Sequence, residues 1–207
     1  DKAGVDFIAI ESQTALVDMR AAVLAARTTD LPVFVTIAVD ESGHTVTGSS
    51  LLPVVITLQA MGVDAIGLTG QMHGLVALDA RLRPLRPIIS CVDFRNEKQN
   101  SGIYRRAGGV EGLLEFTNNR MLASCTAGKI LWMRENEPDN FNKIKKIMLP
   151  KDYIAYKMTG VHSCDYSDAS GMLLLDVKNK CWSKEMMEIC DVKEEQLPKL
   201  FESYEVT

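Results

Sequence analysis

The sequence predicts an α/β protein, on three observations. Over the first seventy residues, short apolar runs alternate with stretches of helical period. Strand–helix–strand–helix–strand in that order describes a parallel sheet covered by helices. Beyond Gly70 the order changes to an apparent hairpin followed by mostly helical stretches. The chain has 207 residues, 46% hydrophobic and 24% charged, with a mean hydropathy of zero. That is enough apolar material for one sizeable core or two small ones, and it is the profile of a globular chain rather than a disordered one.

Residues 5–10 form a near-continuous apolar run, which predicts a strand buried on both faces. Thr14 is placed to cap a helix over residues 15–27, whose Leu16, Met19, Val23 and Ala26 share one face. Leu31-Pro32 ends it, and residues 33–39 predict a second buried strand. Residues 40–43, Asp-Glu-Ser-Gly, carry turn chemistry. A helix over residues 50–61 tolerates Pro53 in its first turn and stops at Gly62, and residues 63–68 predict a third strand.

Further on, residues 75–78 and 87–91 predict antiparallel strands joined by a polar turn at 79–83. Helices are expected over 96–106, 110–116 and 126–136, then a short one after Glu137-Pro138. Residues 146–149 predict a strand stopped by Pro150, followed by a helix over 151–158 that ends at Gly160 and that Lys151 and Asp152 help to open. Residues 172–177 predict a strand, and Ser183 is placed to cap a helix over 184–190.

The bulk numbers exclude some classes. Net charge is −4 with the lysines and arginines scattered, so nucleic acid is not an expected partner. The longest apolar runs, 33–39 and 51–58, are too short to cross a bilayer, so no membrane partner is expected either. Five widely spaced cysteines without a CxxC pair predict reduced thiols and a cytoplasmic location rather than a disulfide framework or zinc knuckle. The opening Asp1-Lys2, without a targeting segment, reads as a chain joined in mid-fold.

Three segments carry chemistry. In the first, Ala-Ile-Gly-Leu-Thr-Gly-Gln-Met-His-Gly (65–74), a buried strand runs into a glycine-bracketed turn holding Gln71, Met72 and His73. The carboxyl end of a strand is where open α/β sheets bind ligands. An imidazole beside an amide offers directional donors and acceptors suited to a polyhydroxylated sugar, while a turn histidine satisfied by backbone is the structural alternative. The second segment, residues 85–95, ends in Cys91-Val92-Asp93-Phe94-Arg95, where Asp93 and Arg95 either bind hydroxyls or pair with each other. The third runs from Lys129-Ile-Leu-Trp-Met through Leu149-Pro-Lys-Asp-Tyr and Asp165-Tyr-Ser-Asp-Ala-Ser-Gly to Trp182-Ser183. Helical spacing makes Ile130 and Trp132 core residues. Residues 165–168 form a polar loop, either lining a cleft or capping the strand that follows.

Gly-Gln-Met-His-Gly and the long third segment, taken in order and without large gaps, resemble the xylulokinase branch of the FGGY carbohydrate kinases over residues 63–207. The resemblance implies phosphorylation of a ketose such as D-xylulose, with ATP and magnesium as cofactors, and it implies that Gln71, Met72, His73, Asp93 and Arg95 bind the sugar. The family usually has Trp and Asn where this chain has Cys91 and Val92. Its Asp-x-Gly-Thr phosphate loop and its catalytic Asp match nothing between Asp1 and Thr207, so these residues are expected to be inactive alone, with no catalytic residue and no cofactor or metal site assigned.

Residues 1–69 differ in kind. Gly-Val-Asp-Phe-Ile-Ala-Ile-Glu-Ser (4–12), Gly-His-Thr-Val-Thr-Gly (43–48) and Gly-Val-Asp-Ala-Ile-Gly-Leu (62–68) resemble a homocysteine S-methyltransferase barrel, with Glu11 in the position of its homocysteine-binding acid. That chemistry uses a zinc ion held by three thiolates, and Gly70 stands where the first cysteine belongs, so zinc is not expected. The alternative activity, a methyltransferase fragment, is discounted on that ground, and a non-catalytic fusion module is the third reading. Together the resemblances imply a chimera: a partial (β/α) barrel-like segment, then part of an actin/ribonuclease H-like sugar kinase N-terminal domain, with the strand at 63–69 common to both. A part-barrel leaves strand edges uncovered, which predicts self-association.

Overall fold

The computed structural model describes residues 4–40 and 43–205. The chain divides into two compact units, Asp1–Gly70 and Gln71–Thr207, and both mix helix with strand. The turn expected at 40–43 includes Glu41 and Ser42, which lie outside the described residues, as do the outer bounds at Asp1 and Thr207.

In the first unit, β1 (Ile8–Gln13), β2 (Val33–Ala38) and β3 (Ala65–Thr69) form a parallel sheet in that order, with Ile8 opposite Val33 and Phe34 opposite Ala65. Helices α1 (Leu16–Ala26) and α2 (Leu51–Ala60) make the crossovers. They bury Met19, Val23, Val54 and Leu58, while β2 buries Val33, Val35 and Ile37. Both-face burial is not found. Alternate positions of β2 are only half-buried, and β3 is half-buried or exposed throughout. Successive strand residues point to opposite faces, and crossovers of one hand lay both helices on the same face.

The first strand also lies further along than residues 5–10. Val5 and Phe7 are half exposed, and pairing continues through polar Gln13, opposite Ile37, across an irregularity after Ile10. Backbone bonding to β2 decides the strand's length, and side-chain polarity does not enter. Thr14 is not the cap of α1, because Ala15 holds that position without a side-chain bond. Gly62 follows α2 at φ 76°, the left-handed stop that its sequence position implies.

In the second unit, β4 (Val76–Leu78) pairs antiparallel with β5 (Lys146–Met148). The expected hairpin is reduced to single bridges, Leu75 with Ile89 and Leu78 with Pro84, around the Asp79 turn. Pro84 and Pro87 lack the N–H groups that a second ladder needs, so β5 takes that place. Helices α3 (Glu97–Arg106), α4 (Val110–Thr117), α5 (Thr126–Asn136) and α6 (Pro138–Phe141) follow the expected order. At the centre is α5, with Ile130, Leu131 and Met133 fully buried, each contributing about 1.5–3 kcal/mol of apolar burial. It lies so close to α3 that a Cβ on Gly128 would stand 1.8 Å from Asn100 Oδ1.

Beyond β5 come α7 (Pro150–Thr159), β6 (Ser163–Asp165), α8 (Tyr166–Met172), β7 (Leu175–Asp176), β8 (Cys181–Trp182), α9 (Lys184–Cys190) and β9 (Lys199–Phe201). Pro150 opens α7 rather than merely stopping a strand. Residues 165–168 are not a loop. Asp165 caps α8 by accepting from Asp168 N at 3.2 Å, so Met172 ends a helix and the strand expected at 172–177 shrinks to two residues. Ser183 caps α9 as its position implies, accepting from Met186 N.

Candidate functional site

The turn after Gly70 turns back on itself, with Gly74 N donating to Met72 O at 2.7 Å. His73 occupies the left-handed region at φ 61°, uncommon for a residue with a side chain. Thr126 Oγ1, at the start of α5, donates to its carbonyl at 3.1 Å. Its Nδ1 lies 2.9 Å from Ser124 Oγ. Burial pushes the imidazole below its ordinary value, Asp168 pulls it back up and Lys129 pushes it down. Gln71 Oε1 is buried beside this turn with no hydrogen-bond partner.

Met72 and His73 line a cleft of about 310 Å³. Asn119 and Arg120 face it from the loop after α4, Cys125 from the start of α5, and Ser167, Asp168, Ser170 and Gly171 from α8. The polar groups are one imidazole, one guanidinium, one amide, one carboxylate and two hydroxyls, a mixture of donors and acceptors suited to a polar, hydroxyl-bearing ligand. Ser124 is tied in twice. Its side chain meets His73, and its carbonyl accepts from Lys129 Nζ at 2.6 Å. Lys129 is fully buried, and burial pushes its ammonium below the ordinary lysine value.

Asp93 and Arg95 are brought together, with Arg95 Nε 2.9 Å from both carboxylate oxygens and Nη2 2.6 Å from Oδ2. The hydrogen bond from Arg95 holds Asp93 below the ordinary carboxylate range. The guanidinium also lies over the Trp132 ring at 4.8 Å, and Arg86 lies over the same ring at 5.5 Å. Trp132 is thus a half-buried platform for two cations, whereas Ile130 is true core. Neither Asp93 nor Arg95 lines the cleft that holds Met72 and His73.

Sequence reasoning missed Ser124 and the cluster behind Asp168, whereas Asp168 itself belongs to the segment 165–168, for which lining a cleft is one of the two readings. Lys151 Nζ pairs with Asp152 at 2.8 Å, with Asp168 at 3.1 Å, and with Asp165. Among the described residues, Asp152, Cys164 and Asp165 are close enough together to hold a metal. They do not fit magnesium, because an ammonium already neutralises the carboxylates and a thiol is a poor partner for a hard cation. In the first unit, Glu11 lies exposed in β1, and residues 1–70 contain no cysteine.

Residues 45–207 match the model of the FGGY family of carbohydrate kinases, N-terminal domain, and residues 1–71 match that of homocysteine S-methyltransferase. Curated relatives include the xylulose kinase of Escherichia coli (strain K12), 41% identical over 145 residues, a match covering 70% of this chain and 29% of the relative. The xylulose kinase of Lactococcus lactis subsp. lactis (strain IL1403) is 44% identical over 142 residues, covering 69% and 28%. The chain thus spans less than a third of the length of these relatives. Among solved structures, a xyloylose kinase from Brucella ovis superposes with a TM-score of 0.65 at 34% identity over 72% of this chain and 31% of that one. A gluconate kinase from Lactobacillus acidophilus gives 0.62 at 27% identity, covering 67% and 28%.

Proposed function

We propose, for a chain that belongs through residues 45–207 to the FGGY family of carbohydrate kinases, that its second unit is the sugar-binding part of an ATP-dependent kinase of xylulokinase type. The substrate class is a ketose such as D-xylulose, held in the cleft by Met72 and His73 with Asp168 opposite. The observation that carries this reading is the polar cleft of about 310 Å³ at the Gln71-Met72-His73 turn, lined by an imidazole, a carboxylate, an amide and hydroxyls. Its size suits a monosaccharide. The xylulose kinases among the relatives support the ketose, and the gluconate kinase among the structures supports the broader sugar class.

Gln71, whose buried Oε1 has no hydrogen-bond partner, offers a free acceptor for a sugar hydroxyl beside the turn. Asp93 and Arg95 form a charged pair that sits on Trp132 and steadies the neighbouring segment. The family implies ATP and magnesium, which supply the phosphoryl group and neutralise its charge. The carboxylate cluster around Lys151 does not fit the metal, and no transfer step is assigned to these residues. The 207 residues by themselves are therefore expected to bind sugar without turning it over. The domains divide as a methyltransferase-like segment over 1–69 and a kinase segment over 63–207, and the location is cytoplasmic.

The methyltransferase reading of residues 1–71 carries no activity, because a three-thiolate zinc site cannot be assembled from a segment without cysteine. A melting-temperature series with D-xylulose, other ketoses and gluconate tests the proposal. A rise with D-xylulose that persists in Glu11→Ala and is lost in His73→Ala supports it. No shift with any sugar contradicts it and favours a non-catalytic module.

A further inference from the structure

His73 cannot hold its place by its own backbone alone. The left-handed φ of 61° aims the side chain, and two neighbours then bound it. On one side Ser124 Oγ meets Nδ1 at 2.9 Å. On the other side the ring edge lies where a side chain at position 171 would begin. A Cβ built on Gly171 would stand 2.1 Å from Nε2 and 2.4 Å from Cδ2, inside any permitted contact. His73 and Gly171 line the same cleft as Asp168 and Ser170, and Ser124 is not among its lining residues.

We infer that Ser124 and Gly171 are positioning residues for His73, and that sugar binding in the cleft depends on the clamp they form. This rests on the sugar-binding reading of the cleft and adds to it the residues that aim the ring. Ser124 is fit for the task because it is itself fixed, its carbonyl accepting from the buried Lys129 ammonium at 2.6 Å. Gly171 acts by what it lacks. Any Cβ there collides with the end of a side chain and with no backbone atom within the first contacts. The ring therefore yields and the helix does not. Gly112 shows the opposite case, where the same addition meets the Ala107 carbonyl at 1.8 Å. Alanine in place of glycine inside α8 also raises helix propensity, so the substitution separates the site from the fold.

The test uses the full chain, calorimetry with D-xylulose, and the ring nitrogen resonances of His73 measured without sugar. Gly171→Ala is expected to keep its far-UV spectrum and melting temperature, change the His73 ring resonances, and weaken D-xylulose binding by about 10- to 100-fold. Ser124→Ala is expected to change the same resonances and weaken binding by a smaller factor, with Ser124→Thr restoring both. If Gly171→Ala loses its fold, the pair at position 124 decides the question. Wild-type affinity in Gly171→Ala overturns the inference, and so do unchanged ring resonances in both variants. A wild-type chain that binds no D-xylulose overturns the sugar reading. The ring resonances then judge the clamp alone: altered in the variants they support it, unaltered they refute it.

Discussion

Lys151 and Asp168 face each other between α7 and α8, Nζ to Oδ2 at 3.1 Å. The same ammonium meets Asp152 at 2.8 Å and pairs with Asp165. One cation therefore ties the start of α7 to the end of β6 and the first turn of α8, and it holds the carboxylate that Asp168 presents to the cleft. Burial opposes the charge on Lys151, yet Asp152, Asp165 and Asp168 hold it above the ordinary lysine value. Lys151→Met leaves Asp152, only 2% exposed, without its cationic partner. The expected loss is about 3–5 kcal/mol in urea unfolding. A loss below about 1 kcal/mol would mean that the cluster behaves as an exposed one.

Asp165 sets the acid limit. Burial works against its charge, but hydrogen bonds from Lys151 and Ser167 hold the carboxyl well below its ordinary 3.8. A carboxyl depressed in the folded state contributes stability that is present above its unfolded value and is lost as pH falls through the folded one. Unfolding free energy should therefore decline from about pH 4 downward. Asp165→Asn should be less stable at neutral pH and lose much of that decline. Parallel curves for the two proteins would contradict the assignment.

On the proposed sugar-site reading, His73 meets its ligand as a neutral ring. Burial holds it below the ordinary 6.5, with Asp168 opposing and Lys129 assisting. The folded state resists protonation, so the ring stays neutral as pH falls through 6.5 and charges only below it. Affinity for D-xylulose, measured by calorimetry across pH, is expected to be flat down to that value and to fall beneath it. A midpoint above 6.5 would show that another group controls binding.

The sheet of the first unit predicts a different behaviour. β1 and β3 each have one strand partner, β2, so both outer edges lack partners among the described residues. Unpaired N–H and C=O groups on a parallel edge template the addition of another strand. Light scattering should show a mass that rises with protein concentration. Ala65→Lys, which places a charge on exposed edge strand β3, should lower it. A mass independent of concentration would remove self-association from the account.

What the sequence made legible was local. α5 and α9 fall where helical spacing and the Ser183 cap place them, and Gly62 stops α2. The turn holding Met72 and His73 does reach a polar cleft. α8 was hidden because Asp165 and Asp168 read equally as loop residues, although their three-residue spacing is also that of a helix cap and its N3 position. Ser124 was invisible because it lies 51 residues from His73 and belongs to no pattern around it. Lys151 was read only as an opener of α7, since its pairing with Asp165 and Asp168 depends on the fold bringing β6 and α8 alongside.

The cleft beside His73 stands or falls on one titration, D-xylulose into the full chain and into its His73→Ala variant, followed by calorimetry at neutral pH. Saturable binding at one site in the wild type, lost in the variant while the far-UV spectrum is unchanged, is the expected result. Equal binding by both proteins, or none by the wild type, would contradict the proposal that this cleft is a sugar site.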